Sequence, residues 1–286
     1  MKREEVTELV DRGLTKLSDA LASGKSEQLK EYLAVMARFP KYSFNNAMLI
    51  YLQAPDSSLV QGFRAWRKIG RKVIKGQKGI GIIAPLIGRK KDEDAKRDEL
   101  SAGSAEGEKR VFGFKVVHVF DVSQTEGDKL PEIAAISGEP GENIAAIESL
   151  IRSWEIELVY EQIESGADGL SKKGTIVIAP DLGPAKQLLT LVHEAAHEVL
   201  HADAERRKTT TKTIRETEAE AVAFVVCSAL GIDCVDHSSD YIQLYSGDTE
   251  VLTKSLEAIQ KTAAQILEGI QKFLSENEAK EVCHGS

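Results

Sequence analysis

Residues 191–201 read LVHEAAHEVLH, which places His193, Glu194 and His197 in the pattern HExxH. The pattern carries chemistry only on a helix, where residues four apart lie one turn apart on the same side. With six histidines in 286 residues, about 0.01 such matches would arise from composition alone, so the motif is informative before its context is examined. The context agrees, because Asp181 to Pro184 reads as a helix start with proline in the first turn, and Leu188, Leu189 and Val192 supply an apolar face. On that helix the Cα atoms of His193 and His197 are about 6 Å apart, close enough for two imidazoles to hold one Zn2+ ion. Glu194 is rotated by about 100° from His193, so its carboxylate can take the proton of an attacking water without itself binding the ion. His201 continues the series, but it lies about 12 Å along the axis from His193, too far to converge on the same ion. A metzincin would need histidine at 203 and glycine at 200, where this chain has Asp203 and Leu200.

A third protein ligand is expected in RETEAEAVAFVV, residues 215–226, whose apolar face is Ala219, Val222, Ala223 and Val226. Glu216 and Glu220 share one helix face, whereas Glu218 points elsewhere. Two histidines, one glutamate and an open fourth position form the arrangement that hydrolyses amides, since zinc polarises the carbonyl and acidifies water.

The net charge of −8 conceals a division. Residues 1–130 carry 24 basic and 18 acidic side chains, residues 131–286 carry 13 and 27, and Val60 to Lys91 holds ten Lys or Arg with no Asp or Glu. Such a run repels itself unless an anion is nearby. Arg64, Trp66, Arg67, Lys68, Arg71, Lys72, Lys75 and Lys78 mix cations with one indole, and Tyr42, Asn45 and Asn46 add a ring and two amides upstream. Cations neutralise phosphate and a ring stacks on an unpaired base, so the composition suits single-stranded DNA better than duplex reading. The segment shows no helix-turn-helix or zinc-finger pattern, and Gly79-Ile80-Gly81 is too short for a dinucleotide fingerprint and is assigned to strand or turn geometry. Cys227, Cys234 and Cys283 fit neither a disulfide framework nor a metal knuckle and are read as reduced thiols. No apolar run reaches the roughly 20 residues that span a bilayer, and MKREEVTELVDRG lacks the core of a signal peptide, so a cytoplasmic location without membrane partners is expected.

Apolar spacing predicts helices at 3–23 and 26–38 and a third opening at Ser43. Gly-punctuated segments rich in Val, Ile and Phe around 73–88 and 111–122 read as paired strands, with a charged, mobile loop at about 88–110 between them. Gly, Pro and Glu accumulate near 124–143 and mark a boundary. Beyond it the pattern predicts helix 144–154, two strands (IELVYE and GTIVIAP), a helix from Pro184, a helix at 214–230 and a closing helix at 248–275. The expected fold is α+β, with a basic DNA-binding domain over 1–130 and a second domain with a small sheet and the HExxH helix over 143–286.

RETEAEAVAFVV also resembles the E-x-E-A-n-x-F-A helix of the ImmA/IrrE-type metallopeptidases, with Glu220 and Ala221 at its EA pair, Phe224 at its F, and Val222 and Val225 as departures. The resemblance implies that Glu220 is the third zinc ligand in a zincin-like domain. YSFNNAMLIYLQAP, LVQGFRAWRKIGRKVIKGQKGIGIIAP and VFDVSQTEG resemble the amino-terminal domain of ArdC-type antirestriction proteins, which join single-stranded-DNA binding to a zincin-like domain on mobile elements. HSSDYIQLYSGD resembles a segment of that family, and Tyr241 is a candidate donor to a developing oxyanion. These readings together imply a mobile-element antirestriction protein with a zinc peptidase site and a possible protein substrate. Two alternatives are a regulatory protease that cleaves a repressor-like protein, and a DNA-binding protein whose metal is structural.

Overall fold

A computed structural model describes residues 2–89, 109–130, 140–201, 204–232, 241–244 and 247–284. The expected charged loop and most of the expected domain boundary fall outside them. The architecture is α+β, helices packed around three small sheets.

Helix α1 (Arg3–Ala22) buries the stripe Val6, Val10, Leu14, Leu17 and Leu21 and ends before Gly24, whose φ of +74° suits a residue without Cβ. Helices α2 (Glu27–Arg38) and α3 (Phe44–Gln53) follow, and α3 is buried over most of its length because FNNAMLIYLQ offers few groups for solvent.

The first sheet has the order β1 (Val60–Gly62), β4 (Lys109–Asp121), β3 (Ile80–Arg89), all antiparallel. Its inner face, with Val60, Ile80, Ile82 and Val119, is buried. The opposite edge of β3 is closed by α3 instead of another strand. Asn46 Nδ2 donates to Ile83 O and its Oδ1 accepts from Ile83 N, both at 2.8 Å, and Gln53 makes the same pair with Gly81. These amides imitate a partner strand and shield an edge that would otherwise pair with other chains. Asp121 fastens the far end of β4 by accepting from Ser58 N, Leu59 N and Ser123 N. Burial alone would push its carboxyl up, but the hydrogen bonds outweigh that and hold it below the ordinary value.

Between β1 and the two-stranded pair β2 (Arg71–Val73) with β5 (Thr125–Gly127) lies a short helix α4 (Phe63–Lys68), an element the sequence reading did not anticipate.

In the carboxyl-terminal part, α5 (Pro140–Ser153) precedes a sheet of order β6 (Glu157–Tyr160), β8 (Thr175–Ile178), β7 (Gly169–Lys172), with β6 parallel and β7 antiparallel to β8. Then come α6 (Pro184–His201), α7 (Ala204–Thr209), α8 (Lys212–Ala229) and α9 (Thr249–His284), which runs past the end expected at 275. Helix α6 lies against α5, α8 and the sheet. The two parts also touch: α2 packs on α8, Ser18 Oγ lies 3.1 Å from Thr249 Oγ1, and Gln260 Nε2 donates to Pro40 O.

Candidate metal centre

Helix α6 buries Leu188, Leu191, Val192, Ala195 and Ala196, which leaves His193 and His197 on the side that meets α8. Their Nε2 atoms are 3.1 Å apart, and Glu216 Oε2 of α8 lies 3.3 Å from His197 Nε2 and 3.7 Å from His193 Nε2. Four ligands at zinc bond lengths of 2.0–2.1 Å stand about 3.4 Å from one another. The triangle of donor atoms therefore has the dimensions of three corners of one coordination tetrahedron. Among the described residues this is the cluster able to hold a metal. The imidazoles of His193 and then His197 beside it hold the Glu216 carboxyl well below its ordinary value.

Glu220, expected as the third ligand, sits differently: its Oε2 is 3.6 Å from His193 Nδ1, on the far side of that ring. The correction is one helical turn. It arises because the level at which α8 crosses α6 decides which of two glutamates on the same face reaches the Nε2 pair. Glu220 in that place bears on the orientation of His193.

His197 is oriented by a buried chain. Its Nδ1 lies 3.3 Å from His201 Nδ1, His201 Nε2 lies 2.8 Å from Glu218 Oε2, and Arg206 Nη2 donates to Glu218 Oε1 at 2.6 Å. Burial would push the Glu218 carboxyl up, yet His201, Ser255 and Arg206 hold it below its ordinary value, while burial holds His201 below its own. An ionised Glu218 accepts from His201 Nε2–H. A neutral His201 then offers its Nδ1 lone pair to His197 Nδ1–H, which leaves the His197 Nε2 lone pair directed at Glu216 and His193. His201, excluded as a ligand by spacing, and Glu218, expected to point elsewhere, thus act together behind His197. Sequence reasoning gave neither of them this role; the i, i+4 continuation from His197 was the signal for His201.

Glu194 is 7% exposed, and burial pushes its carboxyl above the ordinary value. Its neighbour is the outer strand β7, where a Cβ on Gly169 would stand 2.7 Å from Glu194 Oε1. Glycine at 169 is therefore a condition for seating the carboxylate between helix and sheet. One turn on, Glu198 accepts from Ser171 Oγ and Gly174 N and ties α6 to the β7–β8 hairpin. Tyr241 is buried at 1% exposure with its ring 6.5 Å from that of Phe224, a packing position on α8.

The expected DNA-binding residues separate into two groups. Arg64, Arg67, Lys68, Lys72, Lys75 and Lys78 are exposed, as is Asn45. Trp66 is fully buried and donates Nε1–H to Phe120 O at 2.9 Å, so it is a core residue and offers no face to a base. Asn46 is committed to Ile83, Tyr42 Oη donates to Val60 O, and the Arg71 guanidinium is bound to Thr125 and to Asp128 O. The four side chains share one feature: each polar group bonds backbone that would otherwise lack a partner.

The profile of the N-terminal domain of the anti-restriction factor ArdC matches residues 2–120, and that of the IrrE N-terminal-like domain, a peptidase family, matches 153–229. An uncharacterized protein of Bacillus anthracis is 26% identical over 96% of this chain; the chain spans about half (52%) of that relative's length. Among solved structures, the antirestriction protein ArdC of plasmid R388 superposes with a TM-score of 0.54 in its metal-free form (18% identity) and 0.52 in its Mn(II)-bound form (19% identity). Each match covers 92% of this chain and 98% of ArdC. No helix among the described residues is long and apolar enough to cross a membrane. The chain is thus similar to the ArdC N-terminal domain over residues 2–120 and to the IrrE N-terminal-like peptidase domain over 153–229, and it shares the fold of the ArdC antirestriction protein.

Proposed function

We propose that this is an antirestriction-type protein of a mobile element that binds single-stranded DNA through residues 1–130 and carries a metallopeptidase site in residues 143–286. The observation that carries the catalytic half is the Nε2, Nε2, Oε2 triangle of His193, His197 and Glu216 with buried Glu194 beside it. Its two imidazoles and one carboxylate suit Zn2+, and the Mn(II)-bound ArdC supports a divalent ion. Such an ion supplies Lewis acidity toward a peptide carbonyl and toward water. Glu194 takes the proton of the attacking water and returns it to the leaving amine, a role served by a carboxyl whose affinity for protons burial has raised. His201 and Glu218 keep His197 in the tautomer that presents Nε2.

For the DNA-binding half the support is the acid-free run from Val60 with its exposed cations. The test combines metal content with strand preference. Purified protein should retain about one equivalent of zinc, and it should bind an oligonucleotide more tightly than its duplex at matched salt. Protein without metal affinity, or with tighter duplex binding, would contradict the corresponding half.

A further inference from the structure

The outer face of the first sheet is the feature that the site described above leaves unused. Strand alternation puts Phe114, Val116, His118 and Phe120 of β4 on one face, the first three opposite Pro85, Ile83 and Gly81 of β3 and Phe120 opposite Gln61 of β1. This is the side away from buried Ile80, Ile82 and Val119. Phe114 is 51% exposed and His118 is exposed. At the end nearest β1, Phe63 is 48% exposed, its ring 6.4 Å from that of Phe120. The rings are laid out over about 20 Å of strand. Gly79 keeps the strip open: a Cβ on it would stand 2.9 Å from His118 Cβ and 3.0 Å from Phe120 Cζ, so any larger residue would push against the rings.

Exposed phenyl rings on a sheet are a solubility liability unless something covers them, and the charge around these says what does. Arg67 lies 5.7 Å above the Phe63 ring, Arg64 and Lys78 are exposed at the same end, and β1, β3 and β4 carry no carboxylate on this face among the described residues. Aromatic rings in a cationic, acid-free setting complement a polyanion with π faces.

We propose that this strip, with Phe63, His118 and Phe114 as its exposed rings, is the base-stacking platform for single-stranded DNA. The inference rests on the DNA-binding reading above and moves the stacking role from Trp66 to this face. Backbone phosphates run past the cations at the β1 end while bases lie on the rings, which makes binding tolerant of sequence.

The test measures anisotropy of a labelled oligothymidine and of an abasic strand of equal length and charge, with wild type, Phe63→Ala, Phe114→Ala and the milder Phe114→Leu. Wild type should prefer the strand that has bases. Each alanine variant should lose affinity for it by about 5- to 150-fold while binding the abasic strand as wild type does, with the salt dependence unchanged. Phe114→Leu keeps the apolar bulk and should lose most of the same preference, so it serves if an alanine variant melts early. Folded variants that bind oligothymidine like wild type overturn the platform, as does wild type that fails to distinguish the two strands. A variant that changes oligomeric state without changing DNA affinity also overturns it and assigns the face to self-association. Wild type that binds neither strand defeats the DNA-binding reading itself, which the abasic control separates from failure of the platform alone.

Discussion

The candidate metal centre and the basic segment pose opposite physical problems. At the centre, His193, His197, Glu216, Glu218 and Glu220 come from two helices and converge, and a buried His201–Glu218 pair stands behind the His197 ring. Along the basic segment, Arg64, Arg67, Lys68, Lys72, Lys75 and Lys78 stay in solvent and need no fixed geometry. An ion with bonds of about 2 Å demands positions set within tenths of an ångström, whereas phosphate in water responds to charge over a Debye length of about 10 Å. Substitution should therefore act locally and steeply at the first region, and shallowly and additively at the second.

The steepest contrast is expected at Glu194. Glu194→Gln should retain metal and lower peptide hydrolysis by roughly 10²- to 10⁴-fold, because an amide cannot accept the proton. Hydrolysis at the wild-type rate with metal in place would break the assignment.

Trp66 comes next and sharpens the difference within the basic segment. Trp66→Ala should lower stability by about 3–5 kcal/mol, read by denaturant unfolding, while the adjacent Arg67→Ala should stay within about 0.5 kcal/mol. A stable Trp66→Ala protein that has merely lost DNA affinity would return the indole to the surface.

Within the centre, Glu216→Ala should weaken zinc affinity by more than the roughly 10- to 100-fold expected for an outer group, and Glu220→Ala or His201→Phe should fall inside that range. Titration against a competing chelator gives the order. Equal losses for Glu216 and Glu220 would mean that the donor set shifts by a turn when the ion binds.

Asp121→Asn is expected to cost about 1–3 kcal/mol at neutral pH, since one buried carboxylate oxygen that accepts from Ser123 becomes a donor or Ser58 and Leu59 lose their partner. The folded carboxyl is held below its ordinary value, so its contribution is fully present above the unfolded pKa and fades as pH falls through the folded one. The gap between wild type and variant in unfolding free energy should thus close in acid. A gap that widens in acid would reverse the sign assigned to Asp121.

The smallest effects belong to single cations. Lys72→Ala, Lys75→Ala and Lys78→Ala should each reduce the slope of log affinity against log salt by about 0.7 if each lysine neutralises one phosphate, with little change in stability. A slope that does not move would place the phosphates elsewhere.

Much of this molecule is written in local pattern. Period-3.6 stripes placed α1, α2, α3, α6 and α8 near their observed bounds, and the HExxH spacing put two imidazoles on one side of α6, because helix geometry ties side-chain direction to sequence distance. The run of cations without acids was equally legible, since exposed charge needs no partner. Only the tertiary structure decided which carboxylate meets the histidines. Glu216 and Glu220 are alike in face, spacing and chemistry, and the crossing of α8 over α6 distinguishes them. It decided too that Trp66, Asn46 and Arg71 turn inward, because the backbone groups they satisfy, at Phe120, Ile83 and Thr125, lie 37 to 54 residues away in the chain. Short-range pattern sets direction on an element; the partner at long range, and with it the role of a polar side chain, exists only once the elements have packed.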